Sequence, residues 1–307
     1  MLNFLYAFDH NYNIQGCVSI FSLLENVNKK INIFVVLDDS NSSFEFPEKI
    51  LNHKYLNNLK IKYIEIGSSF YNVDQSHVSQ ATFYRLYLQT LFEEETFDLV
   101  YLDSDIVCIN NPIEDLEVAF NSMKNENYFV AFTDEFYRHE NSEPLIRLNM
   151  SNDKYFNAGV MLVNLQEWKN NNYSVKANLL IQELKEKARF WDQDILNSLI
   201  DSNYYTLQNK LNFKTVGVGE NRSLENVIFV HYSGKSKPWD AGGVFEEAAL
   251  IYHKFFRQLF KNEFHIKVKN RRNALNKMFN YRSYYKFLKT GELIRYLVYS
   301  FIAILKK

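Results

Sequence analysis

The chain has 307 residues, a formal net charge of −1, 47% hydrophobic and 16% aromatic residues, and only 9 Gly and 4 Pro. This excludes a collagen-like, low-complexity or linker-rich protein and points to one large α/β domain, or one domain with an appendage. Two cysteines, Cys17 and Cys108, are too few for a disulfide framework; with one on an expected helix and one on an expected buried strand, they fit a reducing compartment.

The first element is a strand, Asn3 to Phe8, ending at Asp9. The run lacks a basic leader and is too short for a signal peptide. From Ile14 to Val27, Cys17, Ile20, Phe21 and Leu24 recur at helical spacing. Ile31 to Leu37 is an apolar run too short for most helices, closed by Asp38 and Asp39. Pro47 to Leu59 reads as a helix with Pro in its first turn, and Ile61 to Ile66 as a strand ended by Gly67. Ser79 to Phe92 predicts a helix capped by Ser79, and Phe97 to Leu102 a fourth strand. Strands alternating with helices predict a mainly parallel sheet with helices on both faces. Ligands in such sheets sit beyond the carboxyl ends of the strands. Asp9, Asp38 with Asp39, and Asp103 all stand at strand ends there.

The second half is mixed. Tyr128 to Phe132, Gly159 to Asn164 and Val227 to His231 read as strands. Ser174 to Lys187, Gln193 to Ile200 and Val244 to Phe260 read as helices. Glu292 to Leu305 predicts a last helix, apolar nearly all round. No stretch reaches the ~18 to 20 apolar residues needed to span a membrane. From Lys261 onward there are 12 Lys and Arg against 2 Glu, a segment charge of +10, so the preceding body carries −11. This basic tail is interleaved with Phe279, Tyr281, Tyr284, Tyr285 and Phe287. That combination suits an anionic membrane surface. A self-packing helical tail is the plainer alternative, and nucleic-acid binding a weaker one.

Five local patterns carry possible chemistry. In Tyr101-Leu-Asp103-Ser104-Asp105-Ile106 an apolar strand runs into two carboxylates. They converge on one hard cation only if the backbone bends at Ser104; otherwise they are two solvated acids in a turn. His231-Tyr-Ser-Gly234-Lys-Ser-Lys237-Pro-Trp239 follows an apolar strand. It offers an imidazole, a glycine for close approach, and lysines for phosphate. Asn157-Ala158-Gly159 brings small residues beside an amide, as a backbone pressed on a ligand would need. Asp192-Gln193-Asp194 opens a helix, where capping and the helix dipole alone would explain the acids. Arg85, lone on an apolar helix, is either a snorkelling side chain or a phosphate clamp.

Taken in order, Phe8-Asp9-His-Asn11-Tyr12, Ala81-Thr-Phe-Tyr-Arg85, Tyr101 to Asp105, Phe156 to Gly159, Asp192 to Asn197 and His231 to Trp239 resemble glycosyltransferase family 8. The resemblance is closest to bacterial lipopolysaccharide and lipooligosaccharide galactosyl- and glucosyltransferases, and covers residues 1 to about 240. It implies a GT-A fold, a UDP-sugar donor, manganese or magnesium, a saccharide or glycolipid acceptor, and retention of configuration. It makes Asp103, Asp105 and His231 the metal ligands, with Ser104 where the family often has Thr or Ala. Asp9 and Asn11 fall where uridine binds, with Ala7 and Tyr12 beside them. Gly234 and Lys237 match diphosphate positions; Arg85, Asn157, Ala158, Asp192 and Gln193 match donor-sugar positions. Gln193 stands where a nucleophile would, with Asp194 as the nearby carboxylate.

The segment between Thr133 and Asp153 is not matched closely, which leaves the acceptor open. These readings divide the chain into a catalytic domain, residues 1–260, and a basic tail, 261–307, attached to the inner face of a cytoplasmic membrane. The rival readings are a nucleotide-sugar binder without turnover and a sugar-phosphate nucleotidyltransferase. The second would need a basic, Gly-rich loop after the first strand, where this chain has Asp9-His-Asn-Tyr-Asn13.

Overall fold

In the computed structural model the described residues are 1–38, 41–64, 80–135, 143–151, 154–184, 187–215, 223–234, 237–241, 247–279 and 291–306. The organising element is a seven-stranded sheet of order β3-β2-β1-β4-β7-β6-β8. Its strands are β1 (Asn3–Ala7), β2 (Ile31–Asp38), β3 (Leu56–Ile64), β4 (Asp98–Leu102), β6 (Val130–Asp134), β7 (Phe156–Asn164) and β8 (Tyr205–Thr206). Only β7 runs against the rest, pairing antiparallel with β4 and β6. A second sheet, β5-β10-β9, joins β5 (Ile106–Cys108), β9 (Phe213–Lys214) and β10 (Phe229–His231).

Strand side chains alternate between two cores. Phe4, Tyr6, Ile33 and Val35 enter one, together with α1 (Asn13–Asn26), α4 (Ile113–Asn125) and α9 (Glu247–Phe260). Leu5, Ala7, Phe34 and Val36 enter the other, with α6 (Leu165–Asn170), α7 (Tyr173–Leu184) and α8 (Trp191–Ile200). Strands buried on both faces read as apolar runs rather than alternations, which is why β1 and β2 stand out in the sequence. Cys17 in α1 and Cys108 in β5 are buried free thiols.

Several expectations are corrected. The helix expected over 47–59 is a single turn, α2 (Glu48–Leu51). The chain then turns at His53, whose carbonyl accepts from Leu56 N at 2.9 Å. β3 begins at Leu56, and its ladder on β2 runs from Ile31↔Leu56 to Asp38↔Ile64. Pairing along the open edge of β2 overrides the local helical pattern. The Ser79 cap and the Gly67 strand end lie outside the described residues. The helix expected from Ser79 to Phe92 is a 3-10 helix over Gln80–Tyr87, followed by the short α3 (Leu88–Leu91). Helix α4, which the sequence reading leaves unassigned, buries Ile113, Leu116, Ala119, Phe120 and Met123.

The described part of the tail carries two helices and packs on the body. It holds α10 (Arg271–Phe279) and α11 (Gly291–Lys306); α5 (Glu143–Arg147) completes the helices used below. Along α11, Tyr296, Ser300 and Ile304 are buried, while Ile294, Val298, Ile302 and Leu305 are exposed. Spacing of four residues puts the buried three on one stripe. No described helix is long and apolar enough to cross a membrane.

Candidate functional site

Strand β4 delivers Asp103 to the carboxyl edge of the sheet, and the chain turns there. Asp103 N donates to Gly159 O at 2.9 Å, and Ile106 N donates back to Asp103 O at 3.1 Å. The turn carries Ser104, the bend on which convergence of the two acids depends. Asp105 O accepts from Tyr232 N at 3.0 Å, tying the turn to the end of β10. Ligand atoms of Asp103, Asp105 and His231 consequently lie within 4.8 Å of one another.

A chain of hydrogen bonds orients His231. Gly159 N donates to Asn157 Oδ1 at 3.0 Å, which fixes the Asn157 amide. Asn212 Nδ2 donates to the same oxygen at 2.9 Å. Asn212 Oδ1 is therefore the atom 2.8 Å from His231 Nδ1, and Nδ1 must carry the proton. In the neutral ring, Nε2 then presents a lone pair toward Asp105 Oδ1, 3.3 Å away. Asp105 Oδ1 is buried and accepts no hydrogen bond. Two electron-rich atoms facing each other in a buried place fit a bound cation, and the mixed oxygen and nitrogen donors fit a manganese-type ion. Gly159 presses on this ring: a Cβ there would come within 2.3 Å of His231 Cε1. The small residue thus admits the imidazole.

Arg85 does not snorkel. Its side chain is 3% exposed and lies between Asp103 Oδ1 at 2.8 Å and Asp192 Oδ2 at 2.9 Å. Nε donates to Thr82 O at 3.1 Å and Nη1 to Ala158 O at 2.5 Å. The guanidinium stacks 4.2 Å over the Tyr101 ring, and Tyr101 Oη donates to Asp103 Oδ1 at 2.9 Å. Burial pushes the Asp192 carboxyl up to about 6, with Arg85 opposing and Asp103 reinforcing. Burial also raises Asp105, but the Lys237 ammonium outweighs it and holds that carboxyl well below the usual range. Lys237 Nζ sits 2.5 Å from Asp105 Oδ2 and 2.6 Å from Tyr232 O.

The first turn of α8 faces the start of β7. Gln193 Oε1 accepts from Ala158 N at 3.1 Å and Asn157 Nδ2 at 3.2 Å, and Gln193 Nε2 donates to Tyr155 Oη at 3.1 Å. Asp194 points into protein. Its side chain is 0% exposed and is met by Arg147 Nη1 at 2.7 Å. It also accepts from Tyr155 Oη at 2.6 Å and from Phe190 N at 2.8 Å. Asp194 is thus an anchor for the turn that carries Asp192 and Gln193.

Ala7 ends β1, next to β4. Asp9 caps the short 3-10 turn His10–Tyr12, accepting from Asn11 N at 2.9 Å. Tyr12 meets Trp239 edge-on at 6.0 Å, which joins this turn to the loop carrying Lys237. Gly234 has φ 82, a left-handed conformation natural only to glycine.

Sequence reasoning missed Asn212, Tyr155 and Arg147. Asn212 sits just before the two-residue strand β9, with no motif around it. Glu135 and Lys214 were also missed; they form an ion pair in which Glu135 Oε1 accepts from Asn157 Nδ2 at 3.1 Å.

With this geometry in place, the comparisons with known proteins are specific. Residues 3–243 match Glycosyl transferase family 8. The chain is 28% identical over 251 residues to the lipopolysaccharide 1,2-glucosyltransferase of Escherichia coli, covering 77% of this chain and 73% of that one. It is 28% identical over 254 residues to the lipopolysaccharide 1,3-galactosyltransferase of Salmonella typhimurium, covering 79% and 74%. A solved structure of the galactosyltransferase LgtC, in complex with donor and acceptor sugar analogues, gives a TM-score of 0.69 at 19% identity. It covers 84% of this chain and 96% of that one, and this likeness carries the GT-A fold.

Proposed function

Because the chain belongs to glycosyl transferase family 8, we propose that it moves galactose or glucose from a UDP-sugar to a saccharide or glycolipid acceptor, retaining configuration. The setting is the building of bacterial lipopolysaccharide or a related surface glycan, the work named for its relatives. The observation that carries this reading is the cluster of half-buried Asp103 and Asp105 with buried His231, built beside Arg85 and Gln193 at the carboxyl edge of the sheet.

Asp103, Asp105 and His231 would hold a manganese or magnesium ion. When bound, the ion supplies Lewis-acid stabilisation of the departing diphosphate. Lys237 adds a fixed positive charge at the same end, exchanging its contact with Asp105 for phosphate oxygens. Asp9, Asn11 and Tyr12, with Ala7, line the uridine end, and Gly234 lets backbone approach the diphosphate. Arg85 holds Asp103 and Asp192 in place. Asp192 Oδ2 faces Arg85 Nε at 2.9 Å, and the carboxylate stands at a position that the resemblance gives to the donor sugar. Asn157 and Ala158 border the same sugar.

The amide of Gln193 is a poor nucleophile, and Asp194 is enclosed by Arg147, Tyr155 and Phe190 N. Both facts favour direct attack by the acceptor hydroxyl on the face the diphosphate leaves. A leaving phosphate oxygen then takes the hydroxyl proton. No strong acid is required of the protein.

The exposed apolar side of α11, beside a basic tail, supports attachment to the inner face of the cytoplasmic membrane.

The test is UDP release across a panel of UDP-sugars with manganese, with and without chelator, beside an Asp103→Asn/Asp105→Asn variant. Release that favours one hexose, needs the metal and vanishes in the variant is expected. Release indifferent to metal and variant would refute the assigned centre; failure to bind any UDP-sugar would refute the donor.

A further inference from the structure

The loop carrying Lys237 is held from behind by the tail. Tyr296 Oη of α11 lies 2.7 Å from Pro238 O and 3.0 Å from Asp240 O. His253 Nε2 of α9 donates to Pro238 O at 2.8 Å. Lys267 N donates to Trp239 O at 2.7 Å, and Ala241 N donates to Lys267 O at 3.2 Å, a short parallel bridge. The Lys267 ammonium reaches further and donates to Asn11 O at 2.5 Å. Lys267 therefore touches both the turn assigned to the uridine end and the loop assigned to the diphosphate end.

These are loop carbonyls, which no sheet or helix ladder satisfies. Buried carbonyls without donors are costly, so the loop's conformation depends on the groups that donate to it. Tyr296 and Lys267 both come from beyond residue 260.

We propose that Tyr296 and Lys267 are positioning residues for the donor: docked across both loops, the tail sets Lys237 and the Asn11 turn at the spacing a nucleotide diphosphate requires. This rests on the UDP-sugar reading above. It gives α11 a second duty, since its buried stripe of Tyr296, Ser300 and Ile304 is separate from its exposed apolar side.

Tyr296→Phe in the full chain isolates the hydroxyl, because the ring keeps its contacts with His253 at 4.9 Å and Phe264 at 5.4 Å. Tyr299→Phe, one turn along the same helix and 40% exposed, is the matched control. Two readouts are taken beside a melting curve: amide exchange over residues 237–241, and calorimetric binding of UDP with manganese. Tyr296→Phe is expected to speed exchange there and weaken UDP binding by roughly two- to tenfold, what one net hydrogen bond is worth. The melting temperature should fall by no more than a few degrees, and the control should leave all three readouts unchanged. Unchanged exchange, or faster exchange with unchanged UDP affinity, overturns the proposal. Should the unaltered chain bind no UDP, the donor reading falls instead, and exchange alone still decides whether Tyr296 holds the loop.

Discussion

Asn212 Oδ1 lies 2.8 Å from His231 Nδ1, and that contact decides which nitrogen of the ring faces Asp103 and Asp105. The amide is itself oriented by Asn157, which is oriented by Gly159 N. Asn212 supplies no atom to the proposed metal site and reaches it through the imidazole. Asn212→Leu is expected to lower manganese affinity by roughly 10- to 100-fold, the usual result of losing a partner behind a metal-bound histidine. A manganese titration of the purified protein measures this. Equal affinity in the two proteins would mean His231 needs no such support.

Arg85 is a buried cation between the buried Asp192 and the half-buried Asp103. Removing it leaves those charges without their partner, which typically destabilises by about 3 to 5 kcal/mol. Arg85→Met is expected to lower the melting temperature by several degrees and abolish transfer. Arg85→Lys restores the charge but cannot reach Asp103, Asp192, Thr82 O and Ala158 O at once. It should recover most of the stability and little of the activity. Equal recovery of both would reduce Arg85 to a charge-balancing residue.

What the sequence disclosed here was what local pattern can encode. β1, β2 and β4 are buried on both faces, so they are apolar runs, and the acids after them mark the edge where ligands sit. Asp103, Asp105 and His231 were legible for that reason. β3 was legible only in its second half, where Ile61 to Ile64 falls within the strand read over Ile61 to Ile66; its first half carries the exposed Asn57, Asn58 and Lys60 and takes its strand form from the open edge of β2. Asn212 and Arg147 act across 19 and 47 residues on His231 and Asp194, distances over which no spacing rule applies. Helix α4 is a different case. Its apolar residues do recur at helical spacing after Pro112, and the signal was there to be read.

Asp192 links acidity to both stability and activity, with opposite signs. Burial lifts its pKa in the folded chain to about 6, above the ordinary value of 3.8. The folded chain thus holds a proton that the unfolded chain releases between those values. The resulting stabilisation is complete below the unfolded value and is lost as pH rises through about 6. Under the proposed function, activity needs the ionised form, which pairs with Arg85. On acidification from pH 7 to 5, roughly the range of this titration, kcat/KM should therefore fall while this group's contribution to stability grows. Asp192→Asn should remove both dependences along with most of the activity. A pH–rate profile beside melting curves at matched pH tests it; an acid limb that persists in the variant would assign the limb elsewhere.

The exposed side of α11 makes the last prediction. Ile294, Val298, Ile302 and Leu305 face outward, while Arg271 from α10 caps the helix end by donating to Ile304 O and Leu305 O, both at 2.9 Å. A basic segment with an apolar stripe partitions to anionic lipid through both forces, and the charge component is screened by salt. The full chain should therefore pellet with vesicles of anionic lipid, less with neutral ones, and less again at high salt. Changing the four outward residues to Ser removes apolar burial worth on the order of 1 kcal/mol or more each, enough to cut partitioning roughly a hundredfold or more. The buried stripe is untouched by these changes, so UDP binding should survive them. If the four-Ser chain pelleted like the original, the anchor would have to lie elsewhere in the tail; if it lost UDP binding too, the two sides of α11 would not be independent.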